Sequence, residues 1–519
     1  MLLIGILSLI LYSSYKDYTI KDLKEFIITA ILLILYTMII LWNSSSLLTM
    51  GKGLSIFNNT FLLTPYTISI KFLLLIVVIL YLIIVYHYVQ SSKSTTININ
   101  NPGSEFIILI LLNIFAMSLF IEASNSLIIF IAIELQSYTL YIITTTYYKE
   151  ADNTAIYSAK SGLIYFLLGS LASIMILIGL ALIYSETGLY NLTDIMIYLN
   201  TINLLDINNL IISISITLVL IGLLFKIGIA PLHNWLINIY NNVPTMITIW
   251  ISLVTKISIL TFIYTLLHLF NTIYINNNEV INILQFIAIL SMIIGGIGGL
   301  SQISLKKLLA YSGLANAGYM LYGIIANNQY TLLAYIFNIY QYSLTHINIF
   351  LLILLSIIYY NTWYMNNRIS SNIDNNVTIK YNMYINDLYC FVTRNRCLTL
   401  CYIICLTSFM GVPPLAGFYG KYYLLITGLL SGYWFGALVL IIVSCFTAYY
   451  YGYIIKTLLF GDNNVINKYM SLINGPNINI SYTLSYIISL LSLLILMPLL
   501  VLDLYINGAV ILDYYQWIL

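Results

Sequence analysis

Four ionisable side chains stand in this 519-residue sequence where charge is costly: Glu134, Lys226, Lys256 and Lys421, each within a largely apolar stretch. An ammonium at the centre of a bilayer-length apolar run costs roughly 2.5–3.5 kcal/mol on insertion scales, so such groups mark places where ions or protons are handled. The segment GLLFKIGIAPLHNWLINIYNNVPTMITIWISLVTKISIL, residues 222 to 260, puts Lys226 late in one run, Pro231 shortly after it, and Lys256 inside the next run. Glu134, in SLIIFIAIELQSYTLYI, is the natural partner for Lys226. Burial penalises the charged form of each, and each offsets the penalty of the other. The pair reads either as a static ion pair or as a gate, in which withdrawal of Glu134 lets Lys226 hand its proton to the next site. Lys421 is the matching cation further along the chain.

Five more residues are candidate relays. His346, in NIYQYSLTHINIFLL, has Gln341, Ser343, Thr345 and Asn348 around it, a density of polar groups that suggests a wet path from Lys256 to Lys421. A structural histidine bonded to a backbone carbonyl is the alternative. Lys306 and Lys307, in SQISLKKLLAYSGL, either relay protons or snorkel to the interface. Glu122 closes an apolar run as a proton port or an interfacial carboxylate, and Lys160 opens another. His233, beside Pro231, is placed to satisfy backbone freed by the break.

Composition excludes several classes. With 61% hydrophobic and 7% charged residues and a mean hydropathy of +0.97, the chain is a polytopic helical membrane protein, not a soluble domain. A net charge of +2 without a basic run argues against nucleic acid. Cys390, Cys397, Cys401, Cys405 and Cys445 form no CxxC pair and read as small buried hydrophobes, with no metal site expected. His87, His233, His268 and His346 cannot supply a bis-histidine haem bundle. No nucleotide loop or HExxH motif occurs. The N-terminal stretch reads as a retained first span. Heavy use of Ile, Leu, Asn and Tyr, 48 of the last, is a habit of AT-rich organelle genomes.

The elements that must hold these groups are all-α. Fourteen apolar runs are expected as spans near 1–14, 26–42, 71–91, 105–122, 125–148, 160–184, 208–229, 244–270, 280–300, 304–326, 330–360, 398–430, 433–460 and 481–505. Odd-numbered connections then collect Lys16, Lys21, Lys24, Lys93, Lys149, Lys160, Lys306, Lys307, Arg368, Lys380, Arg394, Arg396, Lys456 and Lys468, and even-numbered ones only Lys52 and Lys71. The positive-inside rule puts the odd connections in the matrix or cytoplasm and both termini on the intermembrane-space side. The Asn-rich insert 361–396 is expected as a surface loop.

Gly228 and Pro231 break the seventh span, and Pro413, Pro414, Gly417 and Gly420, in GVPPLAGFYGKYY, break the twelfth. Breaks at membrane depth occur only where protein or a water-filled cavity takes over the freed backbone. The fourth to eighth and the ninth to thirteenth spans both have the break in their fourth member, which suggests two five-helix repeats, and an odd number of spans per repeat forces them to be inverted. The expected division is 1–104, three flanking helices; 105–270, the first repeat; 280–460, the second with its polar loop; and 481–519, a last helix and tail.

IELQSYTLYI, GLIYFLLGSLAS, FKIGIAPLHNWLINIY, SLKKLLAYSGLANAGYM and GVPPLAGFYGKYYLL together resemble the proton-translocating antiporter-like subunits of respiratory complex I, over residues 105 to 460. The ELQS form, with a lysine at 421, is similar to the mitochondrial subunit 2 branch; the subunit 4 type has a glutamate there. The resemblance implies an antiporter-like fold in which Glu134 is the fifth-helix carboxylate, Lys226 the lysine before the break, Lys256 the eighth-helix lysine and Lys421 the output lysine. It also implies that NADH, FMN, iron–sulfur clusters and quinone are handled by other subunits, that neighbouring membrane-arm subunits are the partners, and that phospholipids are bound. Bacterial members carry a sixth-helix lysine where Ile164 stands, and Lys160, one turn earlier, is the substitute. Rival readings are a subunit of a cation/proton antiporter, a scaffold whose buried charges are fixed, and a quinone-binding redox protein.

Overall fold

A segment inside a bilayer must satisfy its own backbone, so apolar runs of this length have to be helices. The computed structural model describes residues 1–14, 20–47, 53–94, 103–146, 153–201, 208–270, 278–371, 383–388, 391–460 and 481–497. Among these are ten helices long and apolar enough to cross a membrane and four shorter apolar ones, which fall one to each expected span. The chain is a multi-pass helical membrane protein.

In order the helices are α1 (Leu2–Ser14), α2 (Ile20–Leu47), α3 (Pro65–Ser94), α4 (Ser104–Glu122), α5 (Ser126–Thr146), α6 (Asn153–Thr187), α7 (Leu192–Thr201), α8 (Asn208–Ile227), α9 (Asn234–Asn242), α10 (Thr245–Leu269), α11 (Asn278–Leu300), α12 (Leu305–Ile325), α13 (Thr331–Ser371), α14 (Arg396–Met410), α15 (Ala416–Leu430), α16 (Trp434–Leu459) and α17 (Tyr482–Leu496). The seventh span is α8 with α9 beyond its break, and the twelfth is α14 followed by α15. Outward faces such as Leu163, Phe166, Leu167 and Ile174 of α6 are exposed and apolar, as lipid contact requires.

At the centre runs α10. Every residue from Thr245 to Tyr264 is buried, because α3, α4, α5, α8, α12 and α13 all pack against it. A helix apolar on all sides belongs in such a position. Lys256 therefore lies in the middle of the molecule.

Both broken spans end in the same way. Gly228 (φ 80°) follows α8, and the N–H groups of Gly228 and Ile229 both donate to the Leu224 carbonyl at 3.1 Å. Gly411 (φ 87°) follows α14, and the N–H groups of Gly411 and Val412 donate to the Thr407 carbonyl at 3.1 and 3.2 Å. This cap needs a left-handed residue, which glycine supplies without steric cost. Pro231, Pro413 and Pro414 lie in the links beyond the caps and are exposed.

Several sequence expectations are corrected. The all-α class itself stands, and a small hairpin is added to it: β1 (Leu54–Ile56) and β2 (Phe61–Leu63) pair antiparallel, with Leu54 opposite Leu63 and Ile56 opposite Phe61. Positive φ at Phe57, Asn58 and Asn59 turns this hairpin. The third span begins at Pro65, not 71, since proline is well suited to the first helical position. Lys71 is thus inside a helix and not in a connection. The insert 361–396 is only partly a loop: α13 runs on to Ser371, and Met383, Ile385, Leu388 and Phe391 are buried. Residues 383–385 dock on the start of α12, where Leu305 N–H donates to the Met383 carbonyl and Ile385 N–H to the Ile303 carbonyl. Lys16, Lys52, Lys149, Lys380, Lys468, Cys390 and the tail beyond 497 lie outside the described residues.

Candidate functional site

Lys226 sits on the last turn of α8, two residues before the glycine cap, and its Nζ donates to Glu134 Oε1 of α5 at 3.0 Å. Their side chains are 7% and 15% exposed. The break thus lies beside the ion pair, and the pairing expected from the sequence is present.

Glu134 is held in place through the turn that follows it. Asn113 of α4, fully buried, donates to the Gln136 carbonyl at 3.0 Å and to Thr139 Oγ1 at 2.7 Å, while its own carbonyl oxygen accepts from Trp250 Nε1 of α10 at 3.2 Å. Gln136 Nε2 donates to Ser258 Oγ of α10 at 3.0 Å. Two buried amides therefore tie the Glu134 helix to the Lys256 helix. Neither was singled out in the sequence, where nothing marks one Asn or Gln among many.

A cavity of about 10 Å³, lined by Lys226, Gln136, Ser137, Trp235 and Thr255 among others, lies between α5, α8 and α10. That is close to the room one water needs. Gln136 Oε1 is buried without a hydrogen-bond partner among the described residues, and buried amides of this kind are ordinarily satisfied by water. Thr255 precedes Lys256 on α10.

Lys256, 2% exposed, has no carboxylate partner among the described residues. Its Nζ donates to the Gly313 carbonyl of α12 at 2.8 Å and to Tyr342 Oη of α13 at 3.1 Å. A Cβ on Gly313 would stand 2.7 Å from that nitrogen, so a side chain at 313 would displace it. One turn further along α13, His346 is 2% exposed, its Nδ1 lies 3.4 Å from Ser252 Oγ, and its ring packs between Tyr342 and Phe350. Its Nε2 is buried without a partner among the described residues.

The same turn of α13 also approaches the second break. Gln341, beside Tyr342 in the chain, presents Oε1 3.1 Å from where a Cβ of Gly420 would stand. Lys421 follows Gly420, and its half-buried side chain reaches back across the break. Its Nζ donates to the carbonyls of Phe409 and Met410 at 2.9 and 2.8 Å, in the last turn of α14. It lies 5.9 Å from the centre of the Tyr319 ring.

The other candidates are dispersed. Lys306 does not snorkel: it is 1% exposed and its Nζ donates to the Val243 carbonyl at 2.8 Å, tying the start of α12 to the link between α9 and α10. Lys307 is half-buried, and Lys160 is exposed at the beginning of α6. Glu122, at the end of α4, is not a free carboxylate: it forms an ion pair with the buried Lys71. His233 Nδ1 lies 3.1 Å from the Pro231 carbonyl, inside the break as expected.

The model of the family described as "NADH:quinone oxidoreductase/Mrp antiporter, TM" matches residues 123–447. A relative from Candida albicans, NADH-ubiquinone oxidoreductase chain 2, is 33% identical over 95% of this chain and 92% of its own. The protein of the same name from Rhizopus oryzae is 31% identical over 89% and 86%. Among solved structures, a chain of respiratory complex I from Thermus thermophilus with bound aureothin superposes with a TM-score of 0.70 at 22% identity, covering 97% of both chains.

Proposed function

The chain belongs to the NADH:quinone oxidoreductase/Mrp antiporter family of membrane subunits, and from that premise we propose that Glu134, Lys226, Lys256 and Lys421 form the buried axis along which it moves protons. It is an antiporter-like subunit of the proton-translocating NADH:ubiquinone oxidoreductase, a multi-pass protein of the inner membrane whose partners are other complex I subunits. The residue roles are the proposal.

One observation carries it. The ion pair at the first break opens onto a one-water cavity whose far wall is Thr255, next to Lys256. A proton leaving Lys226 meets Gln136 and a water, then the α10 lysine. From Lys256 the route continues through Tyr342 and His346, whose unpartnered Nε2 suits a water, to Gln341 and then Lys421. The breaks supply what an unbroken helix lacks, namely polar backbone at membrane depth. Entry from the matrix near Lys226 and Lys256, exit through Lys421, both termini on the intermembrane-space side, two inverted repeats over 105–270 and 280–460, and contact with neighbouring antiporter-like subunits complete the proposal.

A second reading, a scaffold with fixed charges, draws support from the backbone carbonyls that hold Lys256, Lys306 and Lys421. Proton pumping and NADH oxidation measured together in reconstituted complex carrying Lys226→Met, after assembly is confirmed, separate the two. Loss of both is expected. Unchanged stoichiometry and turnover would establish the scaffold.

A further inference from the structure

The Lys71–Glu122 pair lies away from the axis, and the proton path makes no use of it. Lys71 lines a cavity of about 280 Å³ between α1, α2, α3 and α4. Leu2, Leu41, Leu74, Leu75, Ile114 and Phe115 supply apolar wall, Met1 lines it with its α-amino group close by in the chain, and Lys71 is the only charged side chain in the lining. Thr37 and Ser118 also line it, but each hydroxyl is already spent on a carbonyl of its own helix, Ile34 and Phe115.

The lining residues define a direction. Lys71 stands six residues after Pro65, ~9 Å along α3 at 1.5 Å per residue. Leu74 and Leu75 lie a turn deeper, and on α4, which ends at Glu122, Ser118 lies one turn and Ile114 two turns back from the end. The cavity therefore begins at the level of Lys71, near the ends of the helices, and runs inward along apolar wall.

An ammonium has three donors. Glu122 is the partner the structure gives Lys71 among the described residues, and Lys71 is 7% exposed, so its remaining donors are shielded from bulk water beside the cavity it lines. A buried donor without an acceptor is costly. Apolar depth below and an unsatisfied ammonium at the rim match an acyl chain that carries an oxyanion at its glycerol end.

The geometry points to a glycerophospholipid site: one acyl chain enters the cavity between α1 and α4, and a phosphate or ester oxygen accepts from Lys71, completing the shell that Glu122 begins. The lipid then glues α1 and α2, whose outer faces are largely exposed, to the rest of the bundle.

The test uses intact complex I in phosphatidylcholine vesicles doped with phosphatidylglycerol bearing a diazirine near the end of one chain. A diacylglycerol with the same labelled chain serves as the phosphate-free arm. After irradiation, labelled peptides are mapped by mass spectrometry. Label is expected on the 74–75 and 114–118 segments, falling about tenfold with diacylglycerol and with Lys71→Met, the worth of a charge-assisted hydrogen bond. Leu75→Trp fills the cavity and leaves the ion pair intact, so it abolishes the label even if Lys71→Met fails to assemble. Equal labelling by both lipids, label confined to bilayer-facing side chains, label that survives Leu75→Trp, or a protein segment cross-linked into the cavity would each overturn the site.

Discussion

The two broken spans share a cap and differ in what their lysines hold. In the first, Lys226 stands before the break and pairs with a carboxylate on another helix. In the second, Lys421 stands after the break and reaches back to two carbonyls of the helix it follows. The last carbonyls of any helix are unsatisfied and lie at the negative end of its dipole, so an ammonium there is held by neutral groups. Lys226 has a partner whose withdrawal changes its charge balance. Lys421 is held by fixed backbone, and only a rearrangement of the break itself can release it. The first break thus sets two side chains against each other, and the second holds its cation on a helix end.

The largest effect expected from this contrast is at the ion pair. Lys226→Met leaves a buried carboxylate alone and should cost about 3–5 kcal/mol, whereas the double variant Glu134→Met with Lys226→Met should recover most of that stability. Pumping should be absent in both. Heating the purified complex and following its assembled fraction gives the stability, and recovery of pumping in the double variant would contradict the role given to the pair.

At the second break the partners are neutral, so Lys421→Met should cost only about 1–2 kcal/mol while pumping is lost. Lys421→Glu brings a carboxylate against two carbonyl oxygens and should be less stable than Lys421→Met. If the glutamate variant assembles as well as the wild type, the helix end is not the clamp described here.

The caps give a smaller pair of effects. Alanine at Gly411 meets a left-handed conformation that costs about 1–2 kcal/mol. Alanine at Gly228 incurs the same cost and in addition puts a Cβ 2.5 Å from Leu236 Cδ1. Gly228→Ala should therefore lower thermal stability more than Gly411→Ala, and the reverse order would mean that the first break relaxes more easily. Smallest is Lys160→Ala, on an exposed turn of α6, expected within about 0.5 kcal/mol of wild type and with normal pumping. A pumping defect there would restore Lys160 as a sixth-helix relay.

What hydropathy could read, it read well. Each expected span has its helix, and both breaks fall where glycine and proline interrupt apolar runs, because backbone satisfaction in a bilayer leaves no alternative to a helix. The Glu134–Lys226 pair was legible for the same reason, since a carboxylate inside one apolar run and a lysine late in another have few other partners. Lys71 and Lys306 were misplaced because a basic residue near a helix end has the same sequence signature whether it snorkels or turns inward. Lys71 found Glu122, and Lys306 the Val243 carbonyl. Tyr342, one of 48 tyrosines, carried no mark of its contact with Lys256.

By itself, then, the sequence determined that the chain is a bundle of membrane helices, where two of them break, and which four charges are too costly to be incidental. These follow from the free energy of transferring each residue type into hydrocarbon, which is local to the segment. The tertiary structure alone decided what the other two lysines touch: a carbonyl and a phenol for Lys256, a helix end for Lys421. Those contacts join residues 11 to 86 positions apart, and burial rewards whichever acceptor the packing of the helices brings within reach.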